Sequence, residues 1–346
     1  MFAFHLASHL NYFGKDVSVM KKFAALVLLL GLTALPASAA EINAYSIMPE
    51  KYVSKVTQAF EQETGIHVNF LRLSSGEAKT RLEAEKNNPQ VDVLIGGPAD
   101  TYEAIVAQVF EKYSPKGVEA IPAKFRSADG YWTGIGIIPL CFLTNEDFLK
   151  KNEMQAPATW NDLLDPRYKN GLQMADARTS GTATERIFSL VKIMGEDEAF
   201  KYQKKLHANI QMYTKSGAGG AMPIATGQCA SGIFYIVDAL DIQQQGYPVT
   251  ISYPKDGVSY GIEGCGVVHG AKNLEDAKKF ADWMVSKSFA DFIVANKINY
   301  VPTRTDVTTD NPLLDLNAIN LVETDVAWKG AKRDEFVERW KNEVIK

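Results

Sequence analysis

Cysteine, histidine and long apolar or basic runs are all scarce in this sequence, and each scarcity removes a class of function. The three cysteines, Cys141, Cys229 and Cys265, form no C-x-x-C pair, so a dithiol redox centre is not expected. They allow at most one disulfide, Cys229 with Cys265, and buried unpaired thiols stand as the alternative. Of the five histidines, His5 and His9 lie in the leader, and His67, His207 and His269 share no metal-ligand spacing. No metal and no cofactor is expected. H-E-x-x-H and G-x-x-x-x-G-K-[ST] are both missing, which leaves zinc-peptidase and P-loop chemistry without local support. Net charge is −4 and no basic run exceeds a few residues, so nucleic acid and anionic lipid are poor partners.

What is present begins with an export signal. Met20-Lys21-Lys22 is a short basic segment, residues 23–35 are almost wholly apolar, and Pro36-Ala37-Ser38-Ala39-Ala40 supplies small residues for cleavage. That order is a secretory signal peptide, with an apolar run too short to span a bilayer permanently. No cysteine follows it, so no lipid anchor is expected. Met1 to Val19 fits no part of such a signal and reads as a misplaced start, with Met20 the true one. Residues 1–40 are thus leader and signal, and no later stretch is long and apolar enough to cross a membrane. Roughly 300 residues then remain, enough for two domains of ordinary size.

The remaining chain alternates short apolar runs with amphipathic ones. Strands are predicted at 42–46, 67–71 and 91–95, separated by a helix carrying Tyr52, Val56, Ala59 and Phe60 on one face and by another over 78–86. Further on, strands at 172–175 and 232–237 are followed by helices at 182–194 and 239–245; later helices span 274–286 and 335–344. This β-α-β order implies α/β architecture with parallel, doubly wound sheets. No flexible linker separates the units, so residues 135–143 and 261–269 are read as crossovers joining two lobes, 41–136 plus 270–346 and 137–269. A ligand would sit between the lobes, at the carboxyl ends of the strands.

Three loops after predicted strands suit an anion: Ser74-Ser75-Gly76, Thr179-Ser180-Gly181-Thr182, and Ser216-Gly217-Ala218-Gly219-Gly220. A helix N-terminus presents unpaired N–H groups and the positive end of its dipole, hydroxyls add donors, and glycine admits close approach. One such loop is an ordinary N-cap; three in one chain favour a binding site. Ser46 ends the first strand and joins the candidates. Asp238 is read as ending a buried strand, either facing the cleft or capping the next helix. Glu263 reaches the ligand or hydrogen-bonds the hinge, and Tyr235 and Tyr260 either contact ligand or pack in the core.

From Glu41 onward the chain resembles the ferric-ion-binding branch of the type II periplasmic binding proteins. The stretches that carry the resemblance are Asn88 to Val93, Trp160 to Tyr168, Asp176 to Thr184, Tyr213 to Gly217 and Gly270 to Asn273. It implies a hinged, two-lobed, monomeric periplasmic receptor that closes on a small molecule and delivers it to an inner-membrane ABC permease with a cytoplasmic ATPase. Ferric-binding members use tandem tyrosines, which would fall at Val237 and Asp238. Hard ferric ion wants anionic oxygens that this pattern does not supply. The subgroup resembling sugar-phosphate and phosphonate receptors fits better. Its phosphate loops correspond to Ser75-Gly76, Thr179 to Thr182 and Ser216-Gly217. Its His-Asp pair falls at Val237-Asp238, and its crossover glutamate falls at or near Gly261, with Glu263 two residues on. The expectation is a phosphate, phosphonate or sugar-phosphate ligand, with a ferric carrier as the alternative. A secreted hydrolase and a sensor subunit feeding a membrane kinase are the rivals from other classes.

Overall fold

The structure, a computed structural model, describes residues 40–346; the signal peptide and the early start lie outside the described residues. Strand β1 (Glu41–Ser46), helix α1 (Glu50–Thr64), β2 (His67–Arg72), helix α2 (Ser75–Glu85) and β3 (Val93–Pro98) form the first α/β unit. β1 lies between β2 and β3 and pairs with both in parallel. Helix α1 buries Tyr52, Val53, Val56 and Phe60 and stops at Gly65, whose φ of +72° is open to glycine without strain.

Strand β4 (Thr133–Asn145) is buried along all 13 residues. It leads to β5 (Leu172–Ala175), helix α3 (Gly181–Met194), β6 (Ile210–Thr214), β7 (Ser231–Tyr235) and helix α4 (Ile236–Gln244). β5 pairs in parallel with both β6 and β7, repeating the plan of the first unit. After β8 (Val249–Ser252), strand β9 (Tyr260–Val267) returns the chain to the first unit, where it runs antiparallel to β3. The sheet order is β2-β1-β3-β9-β4-β7-β5-β6, so within the sheet the two parallel units are linked through the antiparallel pair β4 and β9. The fold is therefore α/β, with two doubly wound lobes joined by a two-crossing hinge. Helix α5 (Leu274–Met284), the short strand β10 (Val301–Pro302) and helix α6 (Val326–Glu343) complete the chain.

Several element boundaries differ from the sequence-based expectation, the end of β7 and the start of α6 among them. The strand predicted over 232–237 ends at Tyr235, and Ile236-Val237 opens α4. Both residues are buried whichever element they join, so apolar character could not separate the two outcomes. Helix α6 starts nine residues before the predicted 335, capped by Asp325, whose side chain accepts from Trp328 N. Gly330 inside it packs against Glu103 so closely that a Cβ would stand 2.6 Å from the Glu103 Cβ.

All three cysteines are free and buried, so the alternative of unpaired thiols is the one observed. Cys265 lies on β9 and Cys229 precedes β7, with β4 between them. Among the described residues, no helix is long and apolar enough to cross a membrane.

Candidate functional site

The carboxyl ends of the strands in both units converge on one cavity of about 460 Å³, part of it open to solvent. Three helices start at it. Helix α2 begins after Ser74, whose N–H and hydroxyl donate to Glu77 Oε2 at 3.1 and 2.8 Å. Helix α3 begins at Gly181 after Ser180, and α4 begins after Tyr235. Each N-terminus leaves backbone N–H groups unpaired and adds positive potential.

Of the residues singled out in the sequence, Ser75, Ser180, Gly181, Thr182, Ser216, Gly217, Tyr235, Asp238 and Glu263 line this cavity. Ser46, Gly76 and Thr179 do not. Ser46 is wholly buried, its hydroxyl without a partner among the described residues. The Gly76 amide donates to Thr179 O at 3.0 Å, and the Thr179 hydroxyl donates to Lys215 O at 2.7 Å. Tyr260 lies elsewhere, donating to Glu323 at 2.8 Å. Gly217 meets Thr182 so tightly that any Cβ would overlap Thr182 Oγ1, which joins the second and third loops into one surface.

Ser74 of the first loop lines it too, and the lining also includes Arg72, Gly97, Pro98 and Tyr300, none of which sequence reasoning selected as a site residue. Arg72 is the last residue of β2, and the end of a parallel strand is where a ligand group belongs. That position was the available signal. Tyr300 carries none; only folding brings it to Glu263.

Three charged residues line the cavity: Arg72, which makes no ion pair among the described residues, and the carboxyls of Asp238 and Glu263. Asp238 lies in the first turn of α4, not at a strand end, and is 8 % exposed. Burial first, then the nearby Glu263 charge, raise its pKa to about 7, against the opposing pull of Arg72 and Lys51. Burial likewise raises Glu263 to about 7, opposed by donors from Gly97 N–H at 2.7 Å and Tyr300 OH at 3.1 Å. Glu263 is thus tied to the hinge and faces the cavity at once. Asp238 has no hydrogen-bond partner among the described residues.

His67, His207 and His269 sit at the surface beside Glu61, Tyr213 and Glu111. Gly257-Val258-Ser259-Tyr260-Gly261 has the G-x-S-x-G spacing of a hydrolase nucleophile turn. Ser259, however, is wholly buried and its hydroxyl donates to Glu185 Oε1 at 2.5 Å, with no histidine beside it.

A model of bacterial extracellular solute-binding proteins matches residues 55–318. The structure of the periplasmic binding protein AfuA from Actinobacillus pleuropneumoniae, with exogenous fructose-6-phosphate bound, superposes with a TM-score of 0.84 at 32% identity, covering 89% of this chain and 99% of that one. A putative 2-aminoethylphosphonate-binding periplasmic protein of Salmonella typhimurium is 28% identical over 265 residues, 72% of this chain and 73% of its own length. Iron-bound HitA from Pseudomonas aeruginosa, at 17% identity and a TM-score of 0.76 over 87% of this chain and 98% of its own, shares the fold.

Proposed function

Since the chain belongs to the family of bacterial extracellular solute-binding proteins, we propose that it is the periplasmic receptor of an ABC importer, capturing a small phosphorylated or phosphonate compound. The observation that carries this reading is the meeting of Ser75, Ser180, Thr182, Ser216 and Arg72, which has no ion-pair partner among the described residues, around one cavity. Amides, hydroxyls and a guanidinium are donors only or donors first, and charge-assisted bonds from them suit a tetrahedral oxyanion. Asp238 takes a hydroxyl or an amine on the far end of the ligand, with Glu263 beside it. The lobes are 41–136 with 270–346 and 137–269, and their closure is what an inner-membrane permease, coupled to a cytoplasmic ATPase, reads. The mature receptor works as a monomer and is exported by its cleaved signal.

A ferric cargo is disfavoured by the two phenols of the cavity. Tyr235 OH donates to Gly181 O at 3.4 Å and Tyr300 OH to Glu263, and burial raises the pKa of both. Ferric ion would need them as tyrosinates. Calorimetric titration of the mature chain with fructose 6-phosphate, 2-aminoethylphosphonate and inorganic phosphate tests the proposal, with a saturable one-to-one response to at least one expected. Silence towards all of them, together with a visible absorption band on adding ferric citrate, would overturn it.

A further inference from the structure

Two charged residues stand at the rim of the cavity without lining it. Glu77 on α2 and Lys215 just past β6 belong to opposite halves of the sheet, and their side chains pair at 2.5 Å. The Glu77 oxygen not used by Lys215 accepts both donors of Ser74. The Lys215 carbonyl accepts the Thr179 hydroxyl, and the Thr179 carbonyl accepts the Gly76 amide back on the first half. These contacts run as a ring through the first two loops and the residue that leads into the third, and they cross the cleft twice. The Lys215 ammonium foremost, with the Ser74 donors, holds the Glu77 carboxyl down to about 2.

The backbone on either side of the crossing is fitted to near contact. A Cβ on Gly76 would lie 2.7 Å from Arg178 O and 3.0 Å from Thr179 Cα. One on Gly181 would lie 2.6 Å from Pro98 Cγ and 2.7 Å from Ser75 Oγ. Gly76 was singled out for close approach to an anion; what its missing side chain admits is the opposite lobe. Real side chains do not tolerate such distances, so the two halves meet in this way only because both positions are glycine.

We propose that Glu77 and Lys215 form a clasp across the cleft, positioning the first and third loops against each other and slowing ligand escape without touching the ligand. Part of the closed state is then a property of the protein itself, supplied by direct contact between its lobes. The pair is partly exposed, 66% at Lys215 and 37% at Glu77, so its effect is modest and sensitive to salt. The proposal rests on the cavity being the ligand site, but the clasp has a readout of its own.

Zero-length carbodiimide coupling of the mature chain, followed by peptide mass spectrometry, should yield an amide between the Glu77 carboxyl and the Lys215 amine. It should weaken at high salt and be lost in Glu77→Gln and Lys215→Gln. With fructose 6-phosphate or 2-aminoethylphosphonate as probe, each variant should raise the dissociation rate about two- to five-fold at low salt, and the double variant no more than either single. The association rate should barely change. A cross-link with no binding of either probe would remove the ligand class and keep the clasp. Absence of the cross-link with and without bound probe, or additive effects that persist in high salt, would overturn the clasp.

Discussion

At the scale of single residues the cavity holds one cation and two buried carboxyls, and they set two expectations. Arg72 is the one cation among the residues that line the cavity, and it has no carboxylate partner among the described residues. Replacing it by Gln removes a charge-assisted contact, which costs about 1.5–3 kcal/mol. Calorimetry should show affinity for the phosphate ligand falling about ten- to a hundred-fold, with the melting temperature little changed. Asp238 gives the second expectation. Its pKa of about 7 in the folded protein stands above the roughly 3.9 of an unfolded aspartate. The folded state therefore holds a proton that the unfolded chain releases. The stability this group contributes is full below about 4 and is lost as pH rises through about 7. Scanning calorimetry of the ligand-free protein should show its melting temperature declining across that window. Asp238→Asn should flatten the decline only in part, because Glu263 titrates in the same direction. Binding carries a matching signature. An ammonium on the ligand favours ionised Asp238, so affinity for an amine-bearing phosphonate should rise with pH through that range, more steeply than for a hydroxyl-bearing phosphate.

At the scale of elements, the site is assembled from helix starts and strand ends, and this decides what the sequence could reveal. The three loops that meet at the cavity were legible as candidates because serine, threonine and glycine at helix starts have local physical reasons to be there. The Ser74-x-x-Glu77 box would have moved the predicted start of α2 from residue 78 to 75. Arg72 and Tyr300 were illegible by type, since a lone arginine and a lone tyrosine say nothing until β2 and the segment before β10 are placed beside α2 and β9. Strand β8 escaped notice, and β6 was implied only by the loop after it and given no bounds, because both are short and half exposed, with little alternation. Asp238 was misplaced by one element because β7 and α4 are both buried, and buried runs lose the period that separates strand from helix. The contact between loops is itself testable. Gly217→Ala would force a Cβ into Thr182 Oγ1 and part the second and third loops. Overpacking of this kind costs about 1–3 kcal/mol, so ligand affinity should drop at least several-fold in titration, while far-ultraviolet dichroism stays that of the parent.

At the scale of the whole molecule, β4 and β9 are not the only tie between the lobes. Helix α6 lies against both units. Trp328, Phe336 and Trp340 pack on Phe188, Phe200 and Tyr213 of the second unit. Gly330 packs on Glu103, and Arg333 pairs with Asp100, close behind β3 of the first. Arg333 also donates to Thr184, and Lys329 pairs with Glu185 at 2.7 Å, both partners being in the first turns of α3. The charges of both pairs are almost completely buried. Removing one partner of such a pair strands the other charge, at a cost of about 3–5 kcal/mol, whereas exchanging both for apolar groups of similar size is often close to neutral. Arg333→Met should therefore lower the urea midpoint sharply, and Arg333→Met with Asp100→Leu should recover most of the loss. Equal stability of the single and double variants would mean that Asp100 is satisfied without Arg333. Because this contact joins helix to lobe close behind the cavity, the single variant should also change how far small-angle scattering contracts when ligand is added. The double variant, which keeps the packing but not the charge, separates the two effects: contraction restored along with stability makes the contact a matter of fit, and contraction still impaired makes the ion pair part of closure.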